Sequence, residues 1–568
     1  MARTVGIGIQ DYEKARRENL FLVDKTMFIK EWWENHDEVT LLTRPRRFGK
    51  TLNMSMLFHF FSTEDAGSDL FCGTKIWEEE KYRKLQGTYP VISLSFSSVK
   101  EGNYPEMKKK ICKLIQLLYR RFSFLVTEHF LSEDEEKDFK NVSPDMEEYA
   151  ASLALQQLSG YLYRYYGKKV ILLLDEYDTP MQEAYSGGYW SEMMHFFRSL
   201  FNATFKDNPY LERAVMTGIT RVSKESIFSE VITTTSVQYE DAFGFTEDEV
   251  DTALREYGLF DRKDEVKHWY DGFKFGGRSD IYNPWSIINY LDERRAAPYW
   301  VNTSSNTLVG MLIQQAAGDV KESMETLMCG KTIRTELDEQ IVYNQLNQDE
   351  SAIWSLMVAS GYLKVSDVEV QEDKVFQTWK TVYTLEPTNF EVQIMLRQMV
   401  RYWFASNASN YNDFIKALLL DDVEAMNVYM NRVSLATFSF FDSGSHPSGD
   451  SEPERFYHGF VLGLMVELED RYILTSNRES GFGRYDVMLE PKNKGDNAII
   501  IEFKVQGRKE NSLEETVQAA LHQIEKKRYD ESLIDRGVPV ERIRKYGFAF
   551  QGKKVLVGSA GGEEEELC

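Results

Sequence analysis

The sequence predicts a multidomain α/β protein: a parallel sheet with a phosphate-binding loop near the N-terminus, a helical middle, and a second α/β domain at the C-terminal end. Three stretches predict it. The apolar run Val39-Thr40-Leu41-Leu42 leads into Arg44-Pro45-Arg46-Arg47-Phe48-Gly49-Lys50-Thr51 and then into the helical pattern Leu52, Met56, Leu57, Phe60. The run Lys169-Val170-Ile171-Leu172-Leu173-Leu174 is almost free of polarity and ends in Asp175-Glu176, as strands buried on both faces of a parallel sheet do. Near the other end, Arg484-Tyr485-Asp486-Val487-Met488-Leu489 and Ala498-Ile499-Ile500-Ile501-Glu502-Phe503-Lys504 read as two strands joined by the turn Pro491 to Asp496.

At 568 residues the chain exceeds one hydrophobic core, so three or four domains are expected. With 42% hydrophobic and 13% aromatic residues it can fill them. No apolar run approaches the about 20 residues that span a bilayer, and Met1-Ala2-Arg3-Thr4 opens no signal-peptide core. A soluble, cytoplasmic protein is therefore expected. Cys72, Cys112, Cys329 and Cys568 lack metal spacing and support neither a disulfide framework nor a zinc site. The net charge of −23 argues against non-specific coating of nucleic acid, which relies on Lys and Arg, but leaves local basic patches open.

Residues 1–235 form the first expected domain. Phe21 to Thr26 and a helix candidate from Phe28 to Trp33 precede the loop; Asp24 or Lys25 either approaches the nucleotide or, the favoured reading, belongs to a solvated turn. In the loop, backbone N–H groups from Arg46, Arg47, Phe48 and Gly49 and the helix N-terminus would face an anion. Lys50 would reach the β- and γ-phosphates, and the Thr51 hydroxyl would hold Mg²⁺. The signature G-x-x-x-x-G-K-[ST] has glycine where Arg44 stands. Alone, the loop reads equally as a nucleotide site or as a basic turn whose Gly49 serves helix entry. The acidic pair after the second strand favours the first, because ligands of open α/β sheets bind at strand C-terminal ends. Asp175 would hold the Mg²⁺ through water, and Glu176 would polarise the attacking water.

Tyr89 to Phe96 alternates as a strand, and helical patterns run from about residue 104 to 131 and from Met146 to Tyr166. Lys108-Lys109-Lys110 with Arg120-Arg121 reads as a solvated helix face. Arg213-Ala214-Val215-Met216-Thr217-Gly218-Ile219-Thr220-Arg221 reads as the next parallel strand. Thr217 at its end is placed to sense the γ-phosphate or the water. Arg221 either brings positive charge to the transition state, as an arginine finger does, or is a surface arginine.

The set Val23-Asp24-Lys25-Thr26, Arg44 to Thr51, Leu174-Asp175-Glu176-Tyr177-Asp178 and Thr217-Gly218-Ile219-Thr220-Arg221 resembles the bacterial AAA-ATPase-like proteins that carry a C-terminal PD-(D/E)XK nuclease-superfamily domain. These are distant relatives of the archaeal-type P-loop ATPases, and the resemblance spans nearly the whole chain. The Arg-Pro-Arg-Arg-Phe-Gly-Lys-Thr form looks typical of that family. It implies a P-loop NTPase sheet with a helical lid, ATP and Mg²⁺ as cofactors, and a coupled nuclease-like domain.

The lid is expected at 236–350, where Thr246 and Glu249 have capping-box spacing. Trp269 to Phe273, Gly276-Gly277 and Tyr282 to Ser286 read as turns between helices, with their aromatics in the core. Residues 351–442 read as a winged-helix-like module and helical connector: Ile353 to Met357 as helix, Gly361 to Val365 and Thr381 to Glu386 as a wing, Glu391 to Phe404 as helix, and a further helix from 411 to 435. Few basic residues precede Arg397, so a packing role is expected rather than groove reading. Ser443 to Asp450 is the clearest linker, and 451–568 the last domain.

Residues two apart on a strand share a face, so Glu502 and Lys504 would join Asp486 from the neighbouring strand. Two carboxylates and a backbone carbonyl make a hard oxygen site for Mg²⁺, or Mn²⁺ in its place, while Lys504 would orient the attacking water and steady the phosphate. That is the PD-(D/E)XK pattern, and a restriction-endonuclease-like fold is implied. The resemblance also suggests Glu454 as a third metal ligand and gives Gln523 and Tyr529 as counterparts of residues that follow the lysine in related nucleases. His458 reads as structural. From 451 to 568 there are 18 basic and 22 acidic residues, four of the acids being the tail Glu563 to Glu566. A basic groove around Lys504, Arg508, Lys509, Lys526, Lys527 and Arg528 is therefore compatible with the acidic whole.

The expected function is an ATP-binding, hydrolysing protein coupled to a metal-dependent nuclease acting on DNA or RNA. The alternatives are a nucleotide-switched scaffold or signalling protein with a degenerate nuclease-like domain, and an ATPase that acts only on proteins. The sequence leaves open the substrate, the pathway and whether the chain forms an oligomer.

Overall fold

The computed structural model describes residues 2–220, 232–234, 239–300, 318–328, 330–337, 350–373, 378–404, 411–437, 471–480, 483–493, 495–507, 510–551 and 554–560, together with positions 309, 312, 461, 465 and 468. The chain divides into two compact units, Met1–Gln315 with Gly330–Met395, and Ala316–Cys329 with Leu396–Cys568. It is a mixed α/β protein with a parallel sheet in the first unit and a mixed sheet in the second. Among the described residues no helix is long and apolar enough to cross a membrane.

The first unit is built on five parallel strands: β1 (Val39–Thr43), β2 (Val91–Ser95), β3 (Val170–Asp175), β4 (Leu211–Gly218) and β5 (Ile232–Thr234). Their spatial order is β2-β3-β4-β1-β5. All six residues of β3 are buried, as its unbroken apolar run requires when helices cover both faces. Because β4 lies between β1 and β3, the phosphate loop after β1 and the acids after β3 both open onto the C-terminal end of β4. Leu42 pairs with Thr217 and Leu174 with Met216, so these three strand ends lie level.

A small antiparallel sheet follows, β6 (Phe245–Thr246), β7 (Phe273–Phe275) and β8 (Arg278–Tyr282), in the order β6-β8-β7. The capping box forms as its spacing predicts: the Thr246 hydroxyl accepts the Glu249 N–H, and the Glu249 carboxylate accepts the Thr246 N–H at 2.8 Å. Gly276-Gly277 differs from the expectation of a turn between helices. It closes the β7–β8 hairpin, because the short run on each side alternates and pairs. Then come β9 (Ile333–Thr335), the helix Glu350–Ala359, the long hairpin of β10 (Leu363–Asp373) and β11 (Thr378–Pro387), and the helix Phe390–Phe404.

The second unit has a five-stranded sheet in the order β12 (Tyr472–Ser480), β13 (Gly483–Pro491), β14 (Ala498–Val505), β15 (Ile543–Gln551) and β16 (Lys554–Ser559). Only β14 and β15 run parallel, joined by the helix Leu513–Lys526 as a crossover. One face, with Val487, Leu489, Ile499, Ile501, Phe503, Phe548 and Phe550, packs against Phe414, Leu418, Met426 and Met430 of the helices Tyr411–Leu420 and Val423–Thr437. The other face, with Met488, Ala498, Ile500 and Ala549, packs against Val517, Leu521 and Ile524 of the crossover helix. Gly547 lets that helix settle, since a Cβ there would lie 2.8 Å from the Val517 carbonyl oxygen.

The outer rim of β16 is covered rather than open. Asn427 donates to the Val557 carbonyl at 2.8 Å and accepts its N–H at 2.7 Å. Asn431, one helical turn on, does the same with Val555 at 2.7 and 3.0 Å. One helical turn and two strand residues span nearly the same distance, about 6 Å, so the side-chain amides imitate a neighbouring strand.

Candidate functional site

The phosphate loop leaves β1 and enters the helix Lys50–Phe61 through Gly49, whose φ of 81° only glycine adopts without strain. The other left-handed residue of the loop is Arg47, at φ 64°. Arg44, at the position where the signature has glycine, keeps a negative φ. Its guanidinium is buried in an aromatic niche, 4.5 Å from the Phe275 ring and 5.7 Å from Phe243, and donates to the carbonyls of Thr43 and Tyr239. Burial pushes its pKa down to about 10. The loop therefore dispenses with the first glycine by placing its unusual backbone angle elsewhere.

The Lys50 ammonium is buried and curls back to donate to the carbonyls of Arg44 and Pro45, 2.8 Å each. Burial lowers its pKa, opposed by Glu176, Asp178 and Asp175. The Thr51 hydroxyl donates to the Asp175 carboxylate at 2.8 Å, and the Thr217 hydroxyl donates to its other oxygen. Thr217 also accepts the Glu176 N–H at 3.2 Å. Glu176 sits at φ 51°, and its carboxylate accepts the Thr179 hydroxyl at 3.2 Å. Thr51, Asp175, Thr217 and Glu176 are thus joined by hydrogen bonds at three strand ends. Arg221 lies outside the described residues.

Of these groups Thr51 and Glu176 line a pocket of about 440 Å³, together with Arg46, Arg47, Phe48, Gly49 and Lys50, and on its apolar side Ile9, Phe21, Phe245, Trp285 and Ile288. Its volume suits a ligand of nucleotide size. Lys25 reaches the lining but is held by Glu249 at 2.7 Å and the Asp241 carbonyl, while Asp24 caps Thr26 and Lys75.

Sequence reasoning assigned no role to Asp178, Gln182, Asn283 or Trp300. Asp178 is buried and accepts the N–H groups of Ile219 and Thr220, both at 2.9 Å, so it shapes the turn after β4. Gln182 bridges Asp178 and Arg46 at 3.2 and 3.3 Å. The acidic run after β3 held a signal for Asp178. Asn283 and Trp300 are brought in from distant parts of the chain.

In the second unit, β13 and β14 pair with Val487 opposite Ile501 and Met488 opposite Ile500. That register puts Asp486 opposite Glu502, and alternation puts both, with Lys504, on the face covered by the crossover helix. The Asp486 carboxylate accepts the Phe503 N–H at 2.8 Å, and Glu502 is buried at 3% exposure. Burial raises the Asp486 pKa from the ordinary 3.8 up to about 6, opposed by the Phe503 N–H and Lys504. The Gln523 amide donates to Glu502 and, at 3.3 Å, to the Tyr529 hydroxyl. Tyr529 lies beyond the C-terminal end of the helix rather than on it. Among the described residues no three Asp, Glu, His or Cys side chains form a metal-type cluster. Glu454 and His458 lie outside the described residues.

Two family matches agree with these two sites. Residues 6–228 match the family described as a predicted AAA-ATPase, and residues 452–560 match the PD-(D/E)XK nuclease superfamily. The two ends of the chain thus match the AAA-ATPase-like and nuclease-superfamily domains that the resemblance named. The chain is also similar to a protein of Azotobacter chroococcum (mcd 1) described as the uncharacterized protein in the vnfD 5' region. The two are 24% identical over 560 residues, covering 94% of this chain and 95% of the other.

Proposed function

We propose that the chain binds and hydrolyses ATP with Mg²⁺ and couples that cycle to metal-dependent cleavage of phosphodiester bonds in DNA or RNA. The observation that carries the ATP half is the 2.8 Å contact between Thr51 and Asp175 at the rim of a nucleotide-sized pocket. It joins the end of the phosphate loop to the acid that ends β3, where a triphosphate and its cation need both. Arg46 to Thr51 hold the phosphates, Lys50 exchanging its two loop carbonyls for phosphate oxygens. Thr51 and Asp175 hold Mg²⁺, Glu176 orients the attacking water, Thr217 positions both acids, and Arg221 supplies positive charge. Residues 236–350 act as a lid and 351–442 as a winged-helix-like connector.

For the cutting half, Asp486 and Glu502 on one sheet face offer oxygen donors only, which fits Mg²⁺ or Mn²⁺. Such a cation supplies positive charge against the scissile phosphate. Lys504 steadies that phosphate and orients water, and Glu454 is the proposed third acid. Gln523 holds the Glu502 carboxylate in place.

The test is a cleavage assay on single- and double-stranded DNA and RNA with Mg²⁺ or Mn²⁺, with and without ATP, for the wild type, Lys50→Ala and Glu502→Ala. The proposal expects cleavage that responds to ATP, loses that response in Lys50→Ala and is abolished in Glu502→Ala. Cleavage retained unchanged in Lys50→Ala would show an ungated nuclease. Absence of cleavage on every substrate would favour a nucleotide-switched scaffold.

A further inference from the structure

The peptide between Arg46 and Arg47 is held from outside the loop. The Arg46 carbonyl accepts the Trp300 indole N–H at 3.0 Å and the Asn283 amide at 3.4 Å. Both donors come from more than two hundred residues away, and both residues are 1% exposed. Each is fixed in turn. Asn283 is the N-cap of the helix Pro284–Glu293, its carbonyl oxygen accepting the Trp285 N–H at 2.8 Å. The Trp300 backbone N–H donates to buried Glu391 at 2.6 Å, and Glu391 also accepts the Ser286 hydroxyl at 2.8 Å.

In a trans peptide the C=O and N–H point in opposite directions. Arg46 and Arg47 line the pocket and the two residues that hold the Arg46 oxygen do not, so a tether on that oxygen favours the Arg47 N–H on the pocket side. The next residue bears the strain, since Arg47 sits at φ 64°, a region costly for a side chain with a Cβ. Its guanidinium lies 4.3 Å over the Trp285 ring, on the same helix that Asn283 caps.

We propose that Trp300 and Asn283 are positioning residues that hold the Arg46–Arg47 peptide so that its N–H is presented to a phosphate group. They do from outside the loop what glycine's freedom does within the usual signature. This rests on the nucleotide reading of the pocket.

The experiment compares MgATP affinity and melting temperature for the full chain as wild type, Trp300→Phe, Asn283→Asp and Lys50→Ala. Trp300→Phe removes the N–H donor and keeps an aromatic ring against Phe273 and Tyr362, whose centroids lie 5.6 Å away in each case, while also giving up the buried volume of the indole's second ring. Asn283→Asp keeps the helix cap and removes the amide donor. Each is expected to weaken MgATP binding about tenfold, as loss of a hydrogen bond worth roughly a factor of ten would, with the melting temperature lowered in Trp300→Phe by the lost buried volume and close to that of the wild type in Asn283→Asp. MgATP binding at wild-type strength in both, while Lys50→Ala loses it, overturns the inference and leaves the nucleotide site standing. Affinity that falls only in a variant whose melting temperature falls, and not in the other, also overturns it. Wild-type binding in Lys50→Ala instead rejects the nucleotide reading itself.

Discussion

At the scale of the residue, both sites set a charged group against its burial. Lys50 is a buried cation whose pKa is lowered, so the fold holds it at a cost that phosphate oxygens would offset. Lys50→Met is expected to weaken MgATP binding by about 100-fold, the scale of losing one partner of a buried charge pair. It should leave the melting temperature of the ligand-free protein unchanged or raised, and titration calorimetry beside a thermal scan checks both. Asp486 shows the opposite titration. Its pKa is raised to about 6 in the fold from 3.8, so between these values the folded chain binds more protons than the unfolded one. Stability contributed by this carboxyl should therefore fall as pH rises from about 4 to 6. Asp486→Asn should remove that part of the slope in urea titrations at stepped pH. Divalent-cation binding, which needs the carboxylate, should fade as pH drops below about 6.

At the scale of the element, the approach of the crossover helix to β15 sets the nuclease-like site. Gly547 has no side chain where Val517 and Ala520 come close, and that approach lets Gln523 reach Glu502. Gly547→Val should cost about 1–3 kcal/mol of overpacking, read as a lower urea midpoint, and should weaken Mn²⁺ binding by moving Gln523 away from Glu502. Four strands of the first sheet, β1 to β4, and two of the second, β13 and β14, were legible because burial leaves a trace in the sequence. The unbroken apolar run of β3 and the one that opens β14 are properties of the strands themselves. β5, the β7–β8 hairpin, β12, β15 and β16 were missed, since strands that are short or that mix polar residues into their runs differ little from loops until their partners are known. The Thr51–Asp175 pairing could be expected from motif spacing. The Trp300 and Asn283 tethers could not, because each links positions more than two hundred residues apart and nothing local to either marks the bond.

At the scale of the whole molecule, each of the two compact units carries one candidate site. Ligands that bind only the folded state should stabilise the unit that holds their site. MgATP at a hundred times its Kd should add about 2.7 kcal/mol, raising a calorimetric transition in the wild type but not in Lys50→Ala. Mn²⁺ should raise a transition in the wild type but not in Glu502→Ala. A single shift shared by both ligands and abolished by either substitution would mean that the units unfold together.

The paired amides of Asn427 and Asn431 bear on how the C-terminal part can be isolated. A fragment begun after the polar stretch at 443–450 would lack the helix that carries them and leave the peptide groups of Val555 and Val557 bare, inviting copies to join strand to strand. A fragment begun at Tyr411 would retain that shield and should stay monodisperse where the shorter one precipitates.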